Sequence, residues 1–270
     1  GYLQACGVGK GDRVLLYMQN APQYIIGYYA TLRADAVLVP VNPMNRQAEL
    51  EHMLKDTGAV VCICAQELLP YVDTLVGTHS LQRVIVACYH DYIGADFDLP
   101  LPAEVSSPRQ TGLAAGCVDW QQVITEARQP GPHLAGPDDL AVMPYSSGTT
   151  GAPKGCMHTN RSVMATTLYR SLWSTLTSEP RVLATLPYFH VTGMQSAMNG
   201  PIYCGATIVI LTRWDRRVAA ELIQRYRISS WSSIATMAVD FLSLPAIEQY
   251  DLSSLQNIGG GGAAMPKAVE

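Results

Sequence analysis

The sequence predicts an α/β protein made of two adjacent α/β units, each with a mainly parallel sheet flanked by helices. Three observations carry this expectation. Short β-branched runs alternate with helical stretches from Arg13 to Tyr89, the same alternation returns from Arg181 to Ser233, and a polar region rich in proline and glycine separates the two. The 270 residues, 48% hydrophobic and 15% charged, are enough for one large core or two modest ones, which excludes disorder.

In order, RVLLYM from Arg13 reads as a strand, Pro22 to Leu32 as a helix, AVLVPVN (Ala36 to Asn42) as a strand and Arg46 to Lys55 as a helix. AVVCICA (Ala59 to Ala65) and RVIVACY (Arg83 to Tyr89) follow as strands. Between Asp91 and Asp138 the pattern weakens into a surface excursion with one helix around Trp120 to Arg128. Leu140 to Met143 then form a short buried strand that enters a loop of small residues, and a helix starts near Asn160. The second unit reads as strand RVLATLP (Arg181 to Pro187), a helix after Gly193, strand ATIVIL (Ala206 to Leu211), helix Val218 to Tyr226 and strand ISSWSS (Ile228 to Ser233). The units are expected at residues 1–172 and 173–270, with the seam near Ser171 to Pro180; no repeat of fixed period occurs.

A formal net charge of −4 gives no general attraction for nucleic acid or an anionic membrane, so any phosphate must be held by a local device. The seven cysteines show no CxxC spacing and read as buried thiols in a reducing compartment, the cytoplasm. Cys62 and Cys64 lie two apart on one face of a strand and are expected in the core instead of on a metal. The longest apolar region, Tyr24 to Val41, is broken by Arg33, Asp35 and Pro40, so no transmembrane segment is expected, and no signal peptide is read. The chain opens at Gly1 in what reads as the end of a helix and stops at Glu270 just after a glycine run, so both ends are expected to be cut.

The decisive segment is YSSGTTGAPKG, Tyr145 to Gly155, in a strand-to-helix loop. Gly148, Gly151 and Gly155 let backbone turn and come close to a ligand. Ser146, Ser147, Thr149 and Thr150 offer short donors, and Lys154 adds a mobile positive charge. The Walker pattern needs glycine before the lysine and a hydroxyl after it. Here Pro153 and Gly155 stand in those places, so an ordinary NTPase loop is disfavoured. The competing reading is an ordinary polar turn.

This segment resembles the phosphate loop of the adenylate-forming superfamily: acyl-CoA synthetases, peptide-synthetase adenylation domains and luciferases. LPYFHVTGM (Leu186 to Met194) resembles that family's second block, and IGGGGAAMP (Ile258 to Pro266) the glycine-rich block that receives adenine. GVGKGDRV (from Gly7) and VLVPVNP (Val37 to Pro43) resemble its opening strands, so the likeness runs over essentially the whole chain. The implied fold is a truncated acyl-CoA synthetase N-terminal domain without the C-terminal lid. The acyl-CoA synthetase branch is preferred, with an aryl-CoA ligase, an adenylation domain, or a non-catalytic nucleotide-binding module on the same fold as alternatives.

The resemblance implies that ATP phosphates are held by Ser146, Ser147, Gly148, Thr149, Thr150, Gly151 and Lys154, with Lys154 and His190 as catalytic residues and Thr149 a ligand for Mg2+. Adenine would meet Gly261, Gly262, Ala263 and Ala264, and the acyl group His190, Thr192, Met194 and Trp231. Each has an ordinary alternative: a core histidine, a glycine hinge, a core tryptophan. ATP, a carboxylic acid and coenzyme A are the expected partners, and a homodimer is compatible. Met194, Met198, Trp231, Ile234 and Met237 suggest an apolar wall suited to a medium-to-long fatty acid. Asp35 stands where the family usually has glycine; a left-handed cap would tolerate aspartate, whose short side chain can bond locally. Ala264 stands where many members have proline.

Overall fold

The computed structural model describes residues 1–146, 152–173 and 180–261, which fold into two compact units: Gly1–Phe97 with Ala103–Met164, and Asp98–Pro102 with Ala165 onward.

The first unit is built on strands β1 (Arg13–Tyr17), β2 (Val37–Val41), β3 (Val61–Ala65), β4 (Arg83–Ala87), β5 (Cys117–Asp119) and β6 (Leu140–Val142). A hairpin of β7 (Tyr145–Ser146) and β8 (Lys154–Gly155) follows, and then β9 (His158–Thr159). The main sheet runs in the order β5-β4-β3-β1-β2-β6-β9, parallel except for the antiparallel β9. Strands β2 and β3 are buried along their whole length. Such runs, covered on both faces, are how an apolar sequence satisfies a parallel sheet. Pro40 sits inside β2 without breaking it. The carbonyl of Leu38 accepts from the amide of Met143, so the even positions of β2 face β6, and pairing there is confined to Leu38 and Val142. The missing proline N–H therefore removes no ladder bond.

Helix Pro22–Arg33 begins on Pro22, whose fixed φ suits a first turn, and packs Gly27 so close to the sheet that a Cβ there would lie 3.1 Å from Leu16 Cδ1. Helix Gln47–Thr57 starts where the Glu49 carboxylate accepts from the Arg46 amide at 2.9 Å, and stops at Gly58 in the left-handed region. It buries Leu50, Met53, Leu54 and Thr57.

Two details depart from the sequence reading. The region from Asp91 to Asp138 is not only a surface excursion, because β5 joins β4 at the sheet edge; three residues are too few to carry a period-2 signal. Asp35 does take a left-handed backbone, with φ 61°, but its carboxylate does not bond locally. It is buried and accepts from the amides of Leu134 (3.1 Å) and Ala135 (2.9 Å), with His133 Nδ1 at 2.5 Å. Burial by itself would raise this carboxyl, but the two amides and His133 outweigh it and hold it below the usual range.

The second unit has strands β10 (Arg181–Ala184), β11 (Thr207–Ile210), β12 (Ser230–Ser233) and β13 (Asn257–Gly260) in the order β11-β10-β12-β13, all parallel. Its amphipathic helix Arg216–Tyr226 is capped by Asp215, which accepts from the amides of Arg217 and Val218. The helix buries Val218, Ala219, Ala220, Leu222 and Ile223 against Leu183, Trp231 and Phe241.

The seven cysteines are free thiols but not uniformly buried: Cys62, Cys64 and Cys88 are, whereas Cys156 is exposed. Among the described residues no helix is long and apolar enough to cross a membrane.

Candidate functional site

The decisive segment begins and ends in a hairpin. β7 and β8 pair antiparallel, with Tyr145 opposite Gly155 and Ser146 opposite Lys154. The amide of Cys156 continues the pairing onto the carbonyl of Pro144 at 2.8 Å. Gly155 is closely approached: a Cβ there would lie 2.8 Å from Cγ and Sδ of Met143, whose side chain would have to shift. Ser146 and Lys154 are both exposed, and among the described residues Lys154 has no ion-pair partner. An ammonium and a hydroxyl thus stand side by side, solvated, at the root of the loop, where a phosphate could meet both. Ser147, Gly148, Thr149, Thr150 and Gly151 lie outside the described residues.

The hairpin follows the carboxyl end of β6, and helix Gln47–Thr57 follows that of its parallel neighbour β2; in open α/β sheets ligands bind at that edge. The helix and the hairpin touch. His52 Nε2 lies 3.0 Å from the carbonyl oxygen of Pro153, the Tyr145 hydroxyl bonds Asp56 Oδ2, and the His52 and Tyr145 rings meet edge to face at 6.2 Å. Burial, and the Asp56 carboxylate beyond it, push the Tyr145 phenol up, so its hydroxyl stays a donor. Sequence reasoning missed His52 and Asp56. Their four-residue spacing puts them on one helix face, but no motif marks it.

In the second unit β10 leads into a turn that presents His190. Its amide bonds the carbonyl of Pro187 at 3.1 Å, and its Nδ1 accepts from the amide of Thr192 at 3.3 Å, capping the short helix Val191–Gly193. An accepting Nδ1 leaves the ring proton on Nε2, so His190, exposed to solvent, keeps one N–H to offer. Gly193 is demanded by the turn, because a Cβ there would lie 2.1 Å from the carbonyl oxygen of Pro187. A six-residue π-helix, Met194–Asn199, follows, a form frequent at functional sites. Thr192 is exposed, whereas Met194 and Met198 are buried and Ile234 is exposed.

Trp231 is 1% exposed. Its indole stacks on Trp214 at 5.4 Å, meets Phe241 edge-on at 5.4 Å and donates to Thr185 Oγ1 at 2.9 Å. Those contacts belong to the second unit's core. Gly259 and Gly260 are strand residues paired with Ser232 and Ser233, not a loose hinge. Gly261 is exposed, and among the described residues nothing lies within 4 Å of where a Cβ would stand. Gly262, Ala263 and Ala264 lie outside the described residues.

The sequence pattern of the AMP-binding enzymes matches residues 1–270. The chain belongs to the AMP-binding enzyme family. It is 30% identical over 283 residues to a long-chain-fatty-acid–CoA ligase of Bacillus subtilis, covering 100% of this chain and 49% of that protein. It is 29% identical over 272 residues to 4-coumarate–CoA ligase 4 of Arabidopsis thaliana, covering 98% and 44%. The fold is that of the anthranilate CoA ligase AuaEII in complex with anthranoyl-AMP, with a TM-score of 0.82 at 24% identity over 99% of this chain and 48% of that one. The chain spans about half the length of the curated relatives it matches.

Proposed function

We propose that this chain carries the nucleotide-phosphate and carboxylate part of an ATP-dependent acid–thiol ligase that makes acyl-CoA, with a medium-to-long fatty acid as the substrate class. The observation that carries the reading is the hairpin that holds exposed Lys154 opposite Ser146 at the root of a hydroxyl- and glycine-rich segment. Family membership and likeness to a long-chain-fatty-acid–CoA ligase support it. A carboxylate oxygen attacks the α-phosphorus of ATP, forming the acyl-adenylate and expelling pyrophosphate. The thiolate of coenzyme A then attacks the acyl carbon and expels AMP.

Two anions must meet in the first step, so the protein's part is neutralisation and alignment. Lys154 and Ser146, with Ser147 to Gly151, would hold the β and γ phosphates. The Nε2–H of His190 would orient the carboxylate, with Thr192 and Met194 beside it and Trp231 as a more distant wall. The bare backbone at Gly261, continued through Gly262, Ala263 and Ala264, would receive adenine. Magnesium, which needs only one or two protein oxygens beside phosphate, would take the Thr149 hydroxyl and supply charge neutralisation. The described residues contain no group of three or more His, Cys, Asp or Glu fit to cage a metal, which is compatible with such a phosphate-borne ion. The free thiols favour a reducing compartment, the cytoplasm.

An aryl acid is the second reading, favoured by the likeness to 4-coumarate–CoA ligase and to the anthranilate ligase fold. Carboxylate-dependent ATP–pyrophosphate exchange by the whole gene product, measured across fatty, aryl and amino acids, separates the two. ATP titration of this chain tests the loop. Lys154→Ala removes a charge-assisted contact and is expected to weaken binding by about tenfold or more. Unchanged affinity would show that the lysine does not hold phosphate. The chain alone is expected to give no acyl-CoA turnover; turnover at the whole protein's rate would refute this.

A further inference from the structure

We infer that helix Gln47–Thr57 is a positioning clamp for the phosphate loop: His52 and Asp56, one turn apart, hold Pro153, which leads into one strand of the loop's hairpin base, and Tyr145 on the other, and thereby set Ser146 and Lys154. The inference rests on the phosphate-binding reading of that loop and goes beyond it by assigning residues outside every recognised motif.

The hairpin needs outside support. Its strands are two residues each and make two residue pairs, and a two-stranded hairpin is marginal in water even when longer. The helix supplies a rigid partner, because its opposite face is anchored in the core through Leu50, Met53, Leu54 and Thr57. Four residues of helix rise about 6 Å, so two side chains at that spacing can engage two strands at once. They divide the work. Asp56 takes the Tyr145 hydroxyl on β7, and His52 takes the Pro153 carbonyl directly before Lys154 on β8.

A carbonyl oxygen can only accept, so His52 must carry a proton on Nε2, and the bond fixes the peptide that leads into Lys154. Pro153 has one backbone polar group, this carbonyl, so His52 uses the only hydrogen-bonding handle that residue has. Neither His52 nor Asp56 is placed against the reacting groups. They act through the hairpin, as positioning residues.

The test compares His52→Ala, Asp56→Ala, His52→Gln and Asp56→Asn in the 270-residue chain. Glutamine can still donate to the carbonyl and asparagine can still accept from the tyrosine, so the second pair should restore what the first pair loses. Two readouts are taken. One is the rate of tryptic cleavage after Lys154, followed by mass spectrometry; the other is ATP affinity. Each alanine variant is expected to be cut about tenfold faster after Lys154 and to bind ATP about tenfold more weakly, with the conservative variants within about twofold of wild type. Far-UV dichroism guards against global unfolding, which would accelerate cleavage at every site instead of this one. Alanine variants cut after Lys154 at the wild-type rate would overturn the clamp. Lys154→Ala keeps the two ideas distinct: if it leaves ATP affinity unchanged, or if wild type binds no ATP, the phosphate reading fails while the cleavage rates still decide the clamp.

Discussion

Gly193→Ala is the sharpest test of how the His190 turn is built. The added Cβ would lie 2.1 Å from the carbonyl oxygen of Pro187 and 2.6 Å from that of Leu186. Ordinary carbon-to-oxygen approach begins at about 3.3 Å, so the two segments must part by about 1.2 Å. No side chain can rotate away, because the obstacle is backbone on both sides. Overpacking costs roughly 1–3 kcal/mol where side chains can adjust, and a backbone obstacle puts this variant at about 3 kcal/mol or above. For a chain of this size that corresponds to a fall in Tm of about 6–12 °C, read by thermal unfolding in the far-UV. Gly94→Ala is the control, since among the described residues nothing lies within 4 Å of its added Cβ and its φ is ordinary. If both variants melt together, the close approach that dictates glycine here is wrong. The displacement also moves the turn that His190 caps, so exchange by the whole enzyme should fall further than stability alone explains.

Asp35→Gly removes a strained left-handed aspartate, a gain of about 1–2 kcal/mol, but strands the amides of Leu134 and Ala135, whose bonds to a charged group are worth about 1.5–3 kcal/mol each. Net destabilisation is expected by urea unfolding at neutral pH; a more stable variant would refute it. The Asp35 carboxyl is depressed in the folded state, so its contribution is fully present above its ordinary value near 3.8 and is lost as pH falls through the lower folded value. The acid limb of stability should therefore be shallower in Asp35→Asn. Trp231→Phe loses the indole donor to Thr185 and part of the Trp214 stack, for about 2–3 kcal/mol in urea unfolding. A change in acid preference of the whole enzyme beyond what the loss of stability explains would support Trp231 as the more distant wall of the acyl site.

Elements with long, one-sided patterns were legible in advance. The strands from Arg13, Ala59 and Arg83 and the helices at Pro22 and Val218 carry enough apolar residues at one period to be read alone. β5 and β9 were not legible, having three and two residues, because pairing with a neighbour and not local preference makes them strands. Of the candidate site, the hydroxyl, glycine and lysine pattern of Tyr145 to Gly155 could be singled out as the proposed phosphate loop because phosphate binding would need those residue types in series. His52 and Asp56 could not, since a positioning role is defined by what lies across space.

The sequence by itself determined the α/β class and the family, and it marked Lys154 and His190 as candidates, because periodicity and a run of small donors are local properties. Tertiary structure alone decided that Asp35 ties down residues 133–135, that Trp231 packs in the second unit's core, and that one face of helix Gln47–Thr57 grips the hairpin. Each of those joins residues tens of positions apart, and such contacts come from strand order, which no stretch of sequence encodes on its own.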